Sequence, residues 1–338
     1  MKDLPHLPRV EASGIHRTHL ERIISLIPLS YFWAWAVVGA VLFLISVYIL
    51  LFIERSGAFI SVFLVLSILV AWQGAGVTWA HRRITSFEDN LKEIVDMPRD
   101  EVARRYKSQI AIIFNDRGMA VSGLLLLGIV HITGIDYHEF SFQSIYTSAF
   151  ANVFYYLTVY ILGAGLYVMI MTAWGVHRIG RIPLHVNALF SKSIRSLGVL
   201  YSKFTIMASA VYILWGVFHM LVPPKFSSLQ LMIWFASFAA LLTAYFIVPQ
   251  YSIHQMMVKT KKEKIETFSS KLRKVAFETF RNPMQENVSM LRSLLDIQHQ
   301  LDEMSDWPFS FYEILHITLI IIVPVSVVAM EALLGVIK

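Results

Sequence analysis

Long apolar runs alternate with shorter polar segments along almost the whole chain. Each apolar run has about eighteen residues or more, enough for an α-helix to cross the hydrocarbon core of a bilayer. The pattern therefore predicts an all-α integral membrane protein with seven transmembrane helices. The predicted ranges are 29–53, 58–81, 118–135, 145–174, 200–221 and 229–248, followed by a final spanning segment at 305–338.

The polar segments before and between the first six spans predict helices outside the hydrocarbon core. In the N-terminal segment 1–28, residues 15–27 set Leu and Ile against His, Arg and Glu, a pattern typical of an amphipathic helix on the membrane surface. The connectors 82–117 and 178–199 divide the six-helix region 29–249 and carry further short helices. Thr85 and Glu88 have the spacing of a capping box, which predicts that a helix begins there.

Residues 250–304 predict a cytosolic helical hairpin. Apolar residues recur at three- and four-residue spacing, which places them on one helical face. Asn282-Pro283 interrupts the pattern, because the residue before a proline disfavours the helical conformation. Because exposed apolar stripes need partners, we expect this hairpin to hold a homo-oligomer together. The stripe residues are Ile265, Phe268, Leu272, Val275, Leu291 and Leu295, with Val288 and Leu294 beside the last two.

Composition supports the membrane assignment. The 338 residues are 56% hydrophobic and 15% charged, whereas about a quarter of the residues in a soluble domain are charged. There is no cysteine, which excludes disulfides, thiolate metal sites and cysteine nucleophiles. The sequence also contains no H-E-x-x-H, P-loop or G-x-G-x-x-G motif, so we do not predict an enzyme.

The positions of the basic residues predict orientation. Of the 29 Lys and Arg residues, 26 lie in 1–28, 82–117, 177–204 and 250–308, all on one side of the predicted spans. By the positive-inside rule that side is cytoplasmic, so the N-terminus lies inside and, after seven spans, the C-terminus lies outside. We expect a multi-pass protein of the cell membrane that contacts the anionic inner leaflet and does not bind nucleic acid.

The final apolar run suggests a function. No Lys, Arg, Asp or Glu lies near the middle of any span, which argues against proton-coupled carriers, pumps and voltage sensors. A channel with an apolar gate remains compatible with this pattern. The last span combines a proline, small or polar side chains and a glutamate, so we predict a homo-oligomeric ion channel that it lines. The candidate pore residues are Thr318, Pro324, Ser326, Ala329 and Glu331.

The predicted layout resembles that of the insect olfactory and gustatory receptor channels in topology, namely seven inverted spans and a cytosolic anchor. It shares no motif with them in the last span. The alternative to a channel is a non-conducting membrane sensor or scaffold that acts through its cytosolic helices.

Histidines suggest a third hypothesis, a membrane haem protein. His81, His177 and His316 lie near the predicted inner side, and His131, His138 and His219 near the outer side, so two layers could ligate two haems. In the outer loop, Asp136, His138 and Glu139 could bind a divalent cation through oxygen and imidazole ligands. A solvated loop also explains this cluster, and we predict no cofactor.

Overall fold

A computed structural model describes residues 17–95, 97–133, 142–179, 192–222, 228–281 and 284–303. These residues form helices and no β-strand, which confirms the predicted all-α class. The helices are α1 (His19–Ile24), α2 (Tyr31–Tyr48, continued by a π-helical turn Ile49–Ile53), α3 (Ile60–Thr85), α4 (Glu88–Ile94), α5 (Arg99–Ile113), α6 (Asp116–Ile132), α7 (Ile145–Ile179), α8 (Lys192–Leu221), α9 (Ser228–Arg281) and α10 (Gln285–Glu303).

Six helical segments within the described ranges are long and apolar enough to cross a membrane. They correspond to the first six predicted spans and comprise α2, α3, α6 with α5 before it, α7, α8 and α9. The predicted seventh span, 305–338, lies outside the described residues. Seven spans and the two sides of the membrane therefore stay predictions.

One sequence expectation about a helix end is wrong. Thr85 does not cap a helix with Glu88, because α3 continues through Thr85 and the N-cap of α4 is Phe87. The capping box lies instead at α1, where Thr18 accepts a hydrogen bond from the Glu21 amide and Glu21 accepts one from the Thr18 amide.

The N-terminal helix also presents a different face from the one predicted. The sequence pattern places Glu21 on the polar side of an amphipathic helix, but Glu21 is only 7% exposed. It lies between Leu20 and Ile24, which are buried as well. The Glu21 carboxylate can lie there because it faces the His81 side chain of α3. One side of α1 therefore packs against the spanning helices.

Four of the long helices form a ring. Helix α3 contacts α7 and α8, and α9 contacts the same two helices. Helix α2 packs against α3, and α6 packs against α7, beside this ring. The two short helices α4 and α5 contact each other, with α8 against α4 and α7 against α5. We call the end of the spanning helices that carries Arg82, Arg83, Arg117 and Arg178 the basic end.

Candidate functional site

A cavity of about 100 Å³ lies among α3, α7, α8 and α9, which we call the ring cavity. Every one of these helices contributes to its wall, and its described lining contains no charged side chain. Small residues make room for it: a Cβ atom added to Gly76 would have no neighbour closer than 3.6 Å, and one added to Gly165 none closer than 3.8 Å. The arrangement favours an uncharged, mainly apolar occupant.

The polar side chain of Gln73 is held in the wall of the ring cavity. With its amide oriented to suit both neighbours, Gln73 donates to the Thr158 carbonyl (3.0 Å) and accepts from Trp215 Nε1 (3.1 Å). Gln73 is 5% exposed, so these bonds satisfy polar atoms that would otherwise be costly to bury. Gln73 therefore ties α3 to α7 and α8 and fixes the shape of one wall.

Tyr245 brings a tyrosine hydroxyl to the wall of the ring cavity. It lines the cavity and is only 6% exposed. Its ring lies 6.2 Å from that of Tyr201, whose own hydroxyl donates to the Thr172 carbonyl (2.8 Å). Within the described ranges, the Tyr245 hydroxyl has no hydrogen-bond partner. A ligand with one uncharged polar group could pair with it.

Immediately beyond the ring cavity, the apolar part of α9 is followed by a proline and polar side chains. Pro249 lies inside the helix and has no N–H for the carbonyl of Tyr245, one turn earlier. Gln250 donates to the Gly198 carbonyl of α8 (3.4 Å), and His177 of α7 contacts the Ser252 hydroxyl (2.9 Å). The proline and its polar neighbours form what we call the Pro249 junction.

Helix α9 then continues without interruption to Arg281, over 54 residues in all. It packs against α10, and this pair corresponds to the predicted hairpin 250–304.

The predicted stripe residues of the hairpin are mostly half-buried, namely Ile265, Phe268, Leu272, Val275 and Leu291. Ile265 and Phe268 pack against the main core. Leu294 of α10 is 9% exposed, whereas Leu295 is 49% exposed. Leu294 therefore belongs to the packed face of α10 and Leu295 to the open one.

Other predicted site residues fall outside the described ranges. This is true of all the pore candidates, Thr318, Pro324, Ser326, Ala329 and Glu331, and of Asp136, His138 and Glu139. The pore and the outer cation site stay predictions.

Two of the predicted inner histidines contact polar partners. His81 Nδ1 lies 2.7 Å from the Glu21 carboxylate, and His177 contacts Ser252. The described residues bring no group of three His, Asp or Glu side chains together. The haem hypothesis stays a prediction.

Comparison with protein-family models, with characterised proteins and with solved structures gives no match to this chain.

Proposed function

We propose that the protein is a membrane sensor in which the ring cavity binds an uncharged amphiphile from the bilayer and α9 carries the response to the cytosolic hairpin. The observation that carries this proposal is the continuity of α9. The same helix lines the cavity with Tyr245, contains the Pro249 junction, and ends in the hairpin with α10. By the positive-inside rule we place the basic end and the hairpin in the cytosol.

The wall chemistry supports a particular class of ligand. A charged group in this uncharged cavity would lose its hydration without gaining an ionic partner, which is costly. About 100 Å³ is smaller than the roughly 300–1,000 Å³ of sites for drug-sized ligands. The end of a long-chain alcohol fits both constraints, because its chain is narrow and its hydroxyl can pair with Tyr245.

The test uses the full-length protein in liposomes and a photoreactive long-chain alcohol as the probe. Tyr245→Phe removes only the hydroxyl, so we expect about two- to tenfold weaker labelling. This factor corresponds to the net free energy of one hydrogen bond. Gly76→Leu should fill the cavity and abolish labelling of its wall. Tyr251→Phe is the matched control, because Tyr251 lies on the same helix, half exposed and outside the cavity lining. Equal labelling of the parent protein, Tyr245→Phe and Gly76→Leu would refute the ring cavity as the binding site.

Transmission to the hairpin needs a separate readout. The absence of native cysteine allows a spin-label pair at Lys271 of α9 and Arg292 of α10 on a clean background. We expect the alcohol to change the distance distribution of this pair in the parent protein and not in Gly76→Leu. Binding without such a change would leave the cavity as a ligand site and remove the sensor role.

The composition of the final apolar run favours a second proposal, an oligomeric channel lined by that run. In a pore, cysteines introduced at Ser326 and Ala329 would be exposed to water. We expect a membrane-impermeant thiol reagent to modify both, with cysteine at the lipid-facing candidate Leu44 of α2 as the control. Protection of every position tested between 316 and 331 would argue against the pore.

A further inference from the structure

A second and larger cavity lies outside the ring, beside the basic end. Its volume is about 760 Å³, and α4, α5 and the end of α7 line it. We call it the arginine cavity. Its apolar lining residues include Leu91, Val95 and Val102, which are at most 4% exposed. Arg104 and Arg105 of α5 and Arg178 of α7 are exposed lining residues. The cavity therefore combines a buried apolar floor with a cationic rim.

Tyrosine hydroxyls fix the helices that carry this rim. Tyr106 of α5 donates a hydrogen bond to the Ile84 carbonyl at the end of α3. Tyr167 of α7 donates to the Ile112 carbonyl of α5 (2.7 Å). These bonds hold α5 against α3 and α7, and so hold the arginines of two helices around one space.

The charges in the arginine cavity do not cancel. Its described lining has three arginines and one glutamate, a net charge of +2. Glu101 pairs with Arg105 at 2.6 Å, four residues further along α5. Within the part of the chain that the structure describes, neither Arg104 nor Arg178 forms an ion pair. Ser108 and Gln109 lie beside them and offer further hydrogen-bonding groups.

We propose that the arginine cavity binds the phosphate group of an anionic ligand, with the ligand's apolar part against the floor. The planar guanidinium offers paired donors that match phosphate oxygens, and two such groups from different helices can hold one phosphate between them. The volume lies within the usual range of small-molecule sites. A lipid headgroup of the adjoining leaflet and a soluble nucleotide both supply this chemistry.

The experiment measures binding to the purified full-length protein by calorimetry, with two probes. Dioctanoyl phosphatidylglycerol represents a lipid headgroup, and ATP represents a soluble phosphate. We expect Arg104→Gln with Arg178→Gln to weaken binding of one or both probes at least tenfold. The control, Arg99→Gln with Lys107→Gln, removes the same charge from exposed positions on α5 outside the cavity lining, and should leave affinity within about twofold.

The outcomes identify the source of the phosphate. Loss of phosphatidylglycerol binding alone assigns a lipid, loss of ATP binding alone assigns a soluble ligand, and loss of both assigns a phosphate site that accepts either. Arg104→Lys with Arg178→Lys keeps the charge and should recover only part of the affinity, because lysine lacks the planar donor pair. Equal binding by the double glutamine variant and its control would overturn the proposal. The ring cavity takes no part in this measurement, so the sensor proposal is tested independently.

Discussion

Glu21 illustrates how single residues join distant parts of this chain. Its carboxylate lies 2.7 Å from His81, and both side chains are about 8% exposed. The His81 ring also lies edge-on to Phe114, with centroids 4.5 Å apart. A second set of polar contacts lies nearby, where Asp116 accepts from the His19 amide (2.7 Å) and pairs with Arg22. Glu21 and His81 attach α1 to α3 by groups that are costly to bury alone. The more exposed contacts of Asp116 attach α1 to α6.

We predict that Glu21→Gln lowers the free energy of unfolding by about 1–3 kcal/mol, because the buried His81 side chain loses its carboxylate partner. Thermal unfolding of the detergent-solubilised protein, followed by circular dichroism, measures the change. Glu286→Gln provides the control, since Glu286 lies exposed on α10. Equal unfolding temperatures for the two variants would show that the Glu21–His81 pair contributes little.

Glu54 shows why sequence spacing alone misses such contacts. It falls in the short turn after α2, where a charged residue is unremarkable. The structure shows that its carboxylate accepts from the backbone amides of Gln143 (2.5 Å) and Ser144 (3.1 Å), just before α7 begins. An anion there satisfies amides that a helix start leaves unpaired. Glu54 and these two residues lie about ninety positions apart, so no local sequence pattern predicts their contact.

At the scale of helices, glycines set the close approaches. A Cβ atom on Gly163 of α7 would lie 2.7 Å from the Cα of Gly123 on α6, which is too close for any side chain. Ser122 of α6 donates to the Gly163 carbonyl (2.8 Å) at the same crossing. Gly74 is likewise covered by the Trp35 ring of α2. Gly163 and Gly74 therefore allow close packing between neighbouring helices of the same chain.

The tip of the hairpin bears on the proposed oligomer. Phe277 and Phe280 near the end of α9 are 69% and 87% exposed, and Met284 follows them before α10 begins. Exposed aromatic side chains in a cluster are typical of an interaction surface. We propose that this tip, together with the open face of α10 at Leu295, contacts a second copy of the chain.

We predict that Phe277→Ser with Phe280→Ser shifts the protein from oligomer toward monomer, because the change removes two large apolar contacts from each copy. Size-exclusion chromatography with light scattering measures the mass of the protein after correction for detergent. Lys271→Ser with Lys274→Ser, two exposed positions of the same helix, serves as the control. A mass equal to that of the parent protein would exclude the tip from assembly.

For the whole molecule, the hydrophobic pattern predicted the long helices correctly but did not predict the two cavities. The length of an apolar run reports directly on crossing a bilayer, so the first six spans were recognisable. The apolar run 229–248 lies in α9, which continues through Pro249 to Arg281 without interruption. Periodicity likewise located the stripe of Ile265 and Phe268.

The shapes and complete linings of the two cavities could not have been predicted from the sequence. The ring cavity depends on how α3, α7, α8 and α9 are arranged, and the arginine cavity brings Arg104 together with Arg178 across more than seventy residues. Aromatic residues such as Tyr245 look the same in sequence whether they fill a core or line a space. The signal that could have marked the arginine cavity was the dense basic composition of 82–117, which was interpreted only as topology.

The continuity of α9 has a mechanical consequence. From Pro249 to Arg281 the helix extends for roughly 48 Å, at 1.5 Å per residue. If it moves as a rigid rod about the junction, a tilt of about 10° displaces the distal end by roughly 8 Å, several times the displacement of Tyr245 beside the pivot. A shift of the ring helices by the width of one methyl group would thus become a much larger movement at the Arg281 end of α9. A movement of that size is wide enough to separate the hairpin from a surface that it contacts.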